Sequence, residues 1–165
     1  MKKLILILTC LFVFGASQAM GAAGTITVVS DFTMRSGEGY TRVIEYALVF
    51  GTGAESFDDV ALNNITGSAS LGVPEPSLAG WYLHKIESFY VATVVTADCD
   101  LYLWSYKADG LDILGGNGVD KVDADTNFTI YPATSTQPLT GKELIDVDNN
   151  AVNSAKHTLR LHLYK

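Results

Sequence analysis

The stretch Thr158-Leu159-Arg160-Leu161-His162-Leu163-Tyr164 decides the fold class, because its side chains alternate strictly between two kinds. Successive side chains of a β-strand point to opposite faces of the sheet. The three leucines are therefore expected to face a core, and Arg160, His162 and Tyr164 to face outward. This alternation predicts a half-buried strand at the end of the chain.

The other segments with strand character are short and are separated by turn residues. Their β-branched and aromatic content predicts strands at 25–29, 40–50, 81–96, 100–106, 128–131 and 144–147. A turn at Ser36-Gly37-Glu38-Gly39 is expected to join the first two strands. Apolar residues on both parities of 81–96 predict a central strand.

Two further local features complete the predicted topology. The strand at 144–147 is expected to pair with the strand at 158–164, around the turn Asp148-Asn149-Asn150. Ser56 is a suitable helix cap, so one short helical turn is predicted at 58–64. Seven or eight short strands predict an all-β fold: a single antiparallel β-sandwich or jelly-roll-like domain.

The first nineteen residues predict a secretory signal peptide. A mostly apolar run of eleven residues, from Leu4 to Phe14 with Thr9 as its one polar member, follows two lysines. It is shorter than the roughly twenty residues that a membrane span needs. Small residues at its end predict cleavage after Ala19. Residues 1–19 are then the signal peptide, and residues 20–165 are the β-sandwich domain. We expect a secreted or periplasmic protein with no membrane attachment after cleavage.

Charge and cysteine content disfavour several classes of function. Without the two leader lysines the chain keeps 9 basic against 18 acidic side chains, a formal charge of −9, and no basic cluster. Nucleic acid is therefore not an expected partner. Cys10 falls within the leader, so the mature chain keeps Cys99 alone and cannot form an intrachain disulfide. Because Asp98 and Asp100 flank Cys99, it is a poor candidate for a reactive thiolate.

The histidines and serines form no recognisable catalytic motif. His157 and His162 are an odd number of residues apart, so on one strand they point to opposite faces and cannot share a metal ion. The nucleophile motif Gly-x-Ser-x-Gly is absent. We therefore predict a protein that is not an enzyme and has no catalytic residues.

Carboxylates around the glycine-rich loop 115–118 form a weak candidate calcium site. Calcium takes six or more oxygen ligands, and acids lie on both sides of this loop. The candidate ligands are Asp109, Asp112, Asp120, Asp123 and Asp125. Their spacing matches no EF-hand, and solvated turn acids are the alternative. A structural calcium ion is the one cofactor that the sequence leaves open.

Three aromatic side chains on one predicted strand suggest a carbohydrate-binding platform. Tyr102, Trp104 and Tyr106 share one parity, and aromatic rings stack on the apolar faces of sugars. The alternative is that this face packs against the second sheet or forms a subunit contact.

Three segments in the second half of the chain carry a family resemblance. They are Thr96-Ala97-Asp98-Cys99-Asp100-Leu101-Tyr102-Leu103, Ala108-Asp109-Gly110-Leu111-Asp112-Ile113-Leu114-Gly115-Gly116-Asn117-Gly118 and Asn153-Ser154-Ala155-Lys156-His157-Thr158-Leu159-Arg160-Leu161-His162-Leu163-Tyr164. Together they resemble a family of small structural proteins encoded by tailed phages and prophages. Cys99 stands where the family usually has an aromatic residue, and His157 stands in place of a glycine. The first half of the chain matches only in its β character.

The resemblance implies a virion surface or tail-associated component without catalysis or cofactor. Its implied partners are proteins, either further copies in a homo-oligomer or virion and cell-surface proteins. Combined with the leader, this predicts a noncatalytic exported β-sandwich that serves as a phage-derived structural or surface-attachment subunit, secreted or virion-associated. The alternatives are a secreted carbohydrate-binding module and a calcium-stabilised adhesion domain.

Overall fold

The computed structural model describes residues 24–51, 57–62, 77–91, 95, 99–105, 110–133 and 136–165, with backbone only at 58 and 59. The predicted leader and its cleavage site at Ala19 lie outside these residues. No described segment forms an apolar helix of the length that a bilayer requires. The described strands are β1 (Thr25–Ser36), β2 (Gly39–Val49), β3 (Phe57–Ala61), β4 (Tyr82–Tyr90), β5 (Asp100–Trp104), β6 (Phe128–Ile130), β7 (Leu144–Asp148) and β8 (Lys156–Tyr164).

The strands form two antiparallel sheets. The larger sheet has the order β1-β2-β8-β4-β6, and the smaller sheet has the order β3-β7-β5. Apolar side chains from both sheets join one buried cluster, so the sheets pack face to face as a β-sandwich. The predicted all-β fold is confirmed.

Strand β8 lies at the centre of the larger sheet and carries the alternation that the sequence predicts. Leu159, Leu161 and Leu163 are at most 1% exposed, and Leu161 lies between Ile44 of β2 and Ile86 of β4. Burying a leucine side chain contributes roughly 2 kcal/mol. Since three leucines follow one another on this face, β8 is a major source of the stability of the sandwich.

The helical turn predicted at 58–64 is wrong over the residues that the structure describes. Residues Phe57–Ala61 form strand β3, which pairs with β7. Phe57 is buried, and its ring lies 4.7 Å from the ring of Phe50. Strand pairing and this aromatic contact outweigh the local capping signal at Ser56, because a short helical turn buries less apolar surface.

The predicted pairing of the last two strands is also wrong. Strand β7 pairs with β3 and β5 in the smaller sheet, whereas β8 pairs with β2 and β4 in the larger one. The connection between them crosses from one sheet to the other, and Asn149 (φ 69°) and Ser154 (φ 53°) both adopt the left-handed region there. Asparagine tolerates this conformation better than most residues. The predicted change of direction after β7 is therefore correct, but the predicted pairing of β7 with β8 is not.

Candidate functional site

A buried polar pair joins strands β4 and β8 inside the sandwich. The Oγ of Ser88 lies 2.7 Å from Nε2 of His157 and 2.7 Å from the carbonyl oxygen of Lys121. A carbonyl can only accept, so the Ser88 hydroxyl donates to Lys121 and accepts from the Nε2–H of His157. Nδ1 of His157 is buried and has no hydrogen-bond partner within the described part of the chain.

The surroundings of His157 keep its imidazole neutral. Burial lowers the pKa of His157 to about 4, and the negative charge of Asp123 opposes this shift only in part. The side chains of Ser88 and His157 are 0% and 1% exposed. Since the Ser88 proton points to a carbonyl and no substrate can reach the pair in this conformation, its geometry is that of a structural bridge and not of an activated nucleophile.

The buried pair could have been suspected from one signal in the sequence. His157 has the same parity as the inward-facing leucines of β8, so its imidazole ring is expected to point into the core. Its partner could not be identified, because Ser88 lies 69 residues away in the chain. The prediction that His157 and His162 face opposite sides is confirmed, since His162 contacts Glu87 on the outer face at 2.9 Å.

Asp112, a candidate calcium ligand, organises the glycine-rich loop through backbone contacts. Its Oδ1 accepts hydrogen bonds from the amides of Leu103 (3.3 Å) and Leu114 (2.9 Å), and its Oδ2 accepts one from Gly116 (2.8 Å). Three amide donors satisfy most of the charge of a carboxylate. Asp112 therefore ties strand β5 to the loop.

The other candidate calcium ligands are engaged separately. The amide of Asp120 donates to Asp100, the carboxylate of Asp123 accepts from Ala124, and that of Asp125 accepts from Thr126. No cluster of three or more potential ligands occurs among the described residues, and Asp109 lies outside them. The calcium hypothesis stays a prediction: a chelator should lower the melting temperature of the protein, and an unchanged melting temperature would dismiss it.

Two of the three predicted platform aromatics lie side by side on the outer face of the smaller sheet. The rings of Tyr102 and Trp104 are stacked, with centroids 5.3 Å apart and planes inclined by 10°. Both side chains are half-buried. Leu101 and Leu103, which alternate with them along β5, face the core. Tyr106 lies outside the described residues.

Carboxylates surround this aromatic pair. Nε1 of Trp104 donates to Oδ2 of Asp146 at 3.2 Å. Burial raises the pKa of Tyr102, and the nearby charges of Asp100 and Asp148 raise it further. The outer face of the smaller sheet therefore combines two parallel rings with hydrogen-bond acceptors.

The middle of the outer face of the larger sheet carries an ion-pair network. Arg160 contacts Glu45 at 2.6 Å and Glu87 at 3.5 Å, and Lys85 contacts Glu87 at 2.5 Å. Burial would raise the pKa of Glu87, but hydrogen bonds from Lys85 and His162 outweigh it and leave the pKa lowered. The network links β2, β8 and β4 in one row and leaves the carboxylates neutralised.

An aromatic cluster lies at one end of that outer face. We call it the aromatic patch; its members are Tyr82, His84, Tyr131 and Tyr164. The rings of Tyr82 and Tyr164 are stacked at 5.3 Å, and His84 meets the rings of Tyr131 and Tyr164 edge-on at 6.2 and 6.5 Å. Tyr131 and Tyr164 are 56% and 38% exposed. Sequence reasoning missed the patch, because its residues come from three separate segments.

A small cleft lies between β4 and the loops that precede β6 and β7. Its volume is about 70 Å³, whereas pockets that hold small-molecule substrates have volumes of roughly 300–1,000 Å³. The carboxylate of Glu143 in its lining is buried and accepts hydrogen bonds from the Thr140 hydroxyl and the amides of Thr140 and Gly141. This carboxylate therefore stabilises the loop to which it belongs.

Comparisons with protein-family models, with curated proteins and with solved structures find no match to this chain. The resemblance to phage structural proteins thus stays a prediction.

Proposed function

We propose that this chain is a noncatalytic structural or surface-attachment subunit, exported and of phage origin, that acts through its sheet surfaces. The observation that carries the proposal is the aromatic patch. Tyrosines that are half exposed and already in mutual contact lose little side-chain entropy when a partner covers them. Aromatic side chains are also enriched at protein interfaces.

The use of the polar groups supports the same proposal. Ser88, His157, Asp112 and Glu143 each bond to the backbone or to one another, inside the sandwich or within its loops. The ion pairs around Arg160 neutralise one another on the outer face. These side chains therefore stabilise the fold of the described residues. The leader predicted at 1–19 supports export, and the three resembling segments support phage origin.

Fractionation of cells that carry the gene tests this function. After the cells are induced and lysed, we expect the cleaved protein to co-purify with phage-like particles or with the cell envelope. The double variant Tyr131→Ser/Tyr164→Ser should remain folded and be lost from that fraction. Leu111→Ser is the control, since Leu111 is 66% exposed and lies outside the patch. Wild-type protein that stays in the cytoplasm with its leader intact would refute the proposal.

A second candidate function, carbohydrate binding, is favoured by one specific observation. The parallel rings of Tyr102 and Trp104 lie beside carboxylates on an outer sheet face. Such a pair can stack on a sugar ring while the carboxylates accept hydrogen bonds from the sugar hydroxyl groups. In affinity electrophoresis through gels that contain polysaccharides, Trp104→Ala should abolish retardation, and Tyr131→Ala should not. If the wild-type protein is not retarded by any polysaccharide, this candidate is dismissed.

A further inference from the structure

Strand β1 is an edge strand of the larger sheet, as far as the described residues define that sheet. Eleven of its twelve residues pair with β2, and Val29 is skipped at a bulge. No described residue pairs with the opposite side of β1. Long edge strands are normally protected by prolines, lysines or charges that point inward, because they can otherwise pair with another chain. Residues 30–36 contain neither proline nor lysine.

The sequence of this open edge is complementary to itself. Residues 30–36 read Ser-Asp-Phe-Thr-Met-Arg-Ser. If two copies pair antiparallel with Thr33 opposite Thr33, then Phe32 faces Met34 of the second copy and Asp31 faces its Arg35. Ser30 faces Ser36 at the ends. Each position thus meets a residue of its own kind or of opposite charge, as stable cross-strand pairs require.

The exposed apolar side chains of the edge lie where this pairing needs them. Phe32 and Met34 are 45% and 53% exposed, and both lie on the outer face, opposite Val43 and Thr41 of β2. Because directly opposed residues in an antiparallel pair share a face, the two phenylalanines and two methionines would form one apolar row across the junction.

The charge on the inner side of the edge does not oppose the pairing. Asp31 binds Arg42 of its own chain through both oxygens, at 2.8 and 2.5 Å, so the inward-pointing carboxylate is neutralised. Arg35 is exposed and donates only to the nearby carbonyl of Gly37, at 3.3 Å. In the proposed pairing, Arg35 of the second copy would lie opposite Asp31, so this position would bring together opposite charges and not like ones.

We infer that a second copy of this chain pairs along β1, in the register that places Thr33 opposite itself. A two-fold axis perpendicular to the sheet then joins two five-stranded sheets into one continuous sheet of ten strands. This inference deepens the proposed function and rests on the structural role given there, since it names the first partner of the subunit. The residues of the aromatic patch lie on β4, on β8 and directly after β6, at least two strands away from β1. Both surfaces can therefore bind partners at the same time.

Paired charge substitutions test the register by light scattering coupled to size exclusion. The wild-type mature chain should have twice the monomer mass. Phe32→Lys/Met34→Lys places lysine opposite lysine and should give a monomer. Phe32→Glu/Met34→Lys places glutamate opposite lysine and should restore the dimer. Both variants lose the same apolar side chains, so a general loss of hydrophobicity cannot explain a difference between them.

Cysteine cross-linking gives an independent measurement of the same register. Thr33→Cys should form a disulfide-linked dimer on mild oxidation, because directly opposed strand residues have Cα atoms about 4.5–5.5 Å apart, within disulfide range. Ser30→Cys is the control, since in this register the two copies of residue 30 are about 20 Å apart at the strand rise of 3.3 Å per residue. Cys99 is buried and does not compete.

The outcomes separate this inference from the proposed function. A monomeric wild-type protein, equal masses for the two charge variants, or equal cross-linking of Thr33→Cys and Ser30→Cys would refute the pairing. The attachment role would be untouched by those results, because it is tested by fractionation of patch variants. Conversely, a β1 dimer that stays in the cytoplasm with its leader intact would support the pairing and refute the exported attachment role.

Discussion

Lowering the pH from 7 to 5 is expected to destabilise the protein through His157. In the folded chain the pKa of this histidine is lowered to about 4 by burial, from an ordinary value of 6.5. Below pH 6.5 the unfolded chain therefore binds a proton that the folded chain does not bind. Since the unfolded state then holds more protons, the free energy of unfolding rises with pH across this range and falls on acidification.

The size of the effect follows from the two pKa values. One pKa unit corresponds to about 1.4 kcal/mol, so a pKa lowered from 6.5 to about 4 is worth about 3 kcal/mol when the folded pKa is reached. Because the unfolded chain binds more protons than the folded chain over this range, the free energy of unfolding should fall by about 2 kcal/mol between pH 7 and pH 5. Glu87 acts at lower pH, because its pKa is lowered from 4.5 and its contribution is lost only as the pH falls below that value.

Urea unfolding of the mature chain at several pH values between 5 and 7 measures this loss. The matched variant is Ser88→Ala/His157→Leu, which removes both partners of the buried pair and leaves neither side chain with an unmet hydrogen bond. The carbonyl of Lys121 loses its donor in this variant, but that cost does not change with pH. We expect the variant to lose most of the pH dependence that the wild type shows in this window.

Either of two results would show that His157 does not cause the loss of stability. If the free energy of unfolding of the wild type and of the double variant changed equally between pH 7 and pH 5, the imidazole would not be the group that titrates. A free energy of unfolding of the wild type that did not change between pH 7 and pH 5 would also refute the role of His157. It would require that the folded and unfolded chains bind equal numbers of protons over this range.

Five further substitutions test the loop and the outer face. Asp112→Ala removes the acceptor of three backbone amides and should cost about 3 kcal/mol in chemical unfolding, whereas Asp125→Ala, at an exposed residue, should cost less than about 0.5 kcal/mol; equal costs would contradict the role of Asp112. Gly118→Ala would place a Cβ against the carbonyl oxygen of Leu101 and should cost about 3 kcal/mol. Gly116→Ala meets open space at φ 81° and should cost about 1 kcal/mol; thermal unfolding compares the two, and a larger loss for Gly116→Ala would overturn the packing argument. Arg160→Ala should lose about 1 kcal/mol at low salt and less at high salt, because its ion pairs are partly exposed; a loss that does not vary with salt would assign its role to packing on Phe89 instead.

Strand β1 shows which structural features local sequence patterns can predict and which they cannot. The alternation of β1 and β2 and the turn between them could be predicted, because each depends on residues that are neighbours in the chain. The sequence predicted β1 only over 25–29, whereas the strand extends to Ser36. Residues 30–36 lack a β-branched run like that of 25–29, and their strand conformation depends on pairing with β2.

The sequence by itself determined the β class and, for β8, which side of the strand is buried: the leucines face inward and Arg160 faces outward. It could do so because the two-residue period of a strand is a property of the local backbone. Only the tertiary structure decided that β7 and β8 belong to different sheets, that Ser88 meets His157, and that distant tyrosines share one patch. Those contacts join residues far apart in the chain, and the competition between alternative strand pairings is settled by burial over the whole domain and not by any local signal.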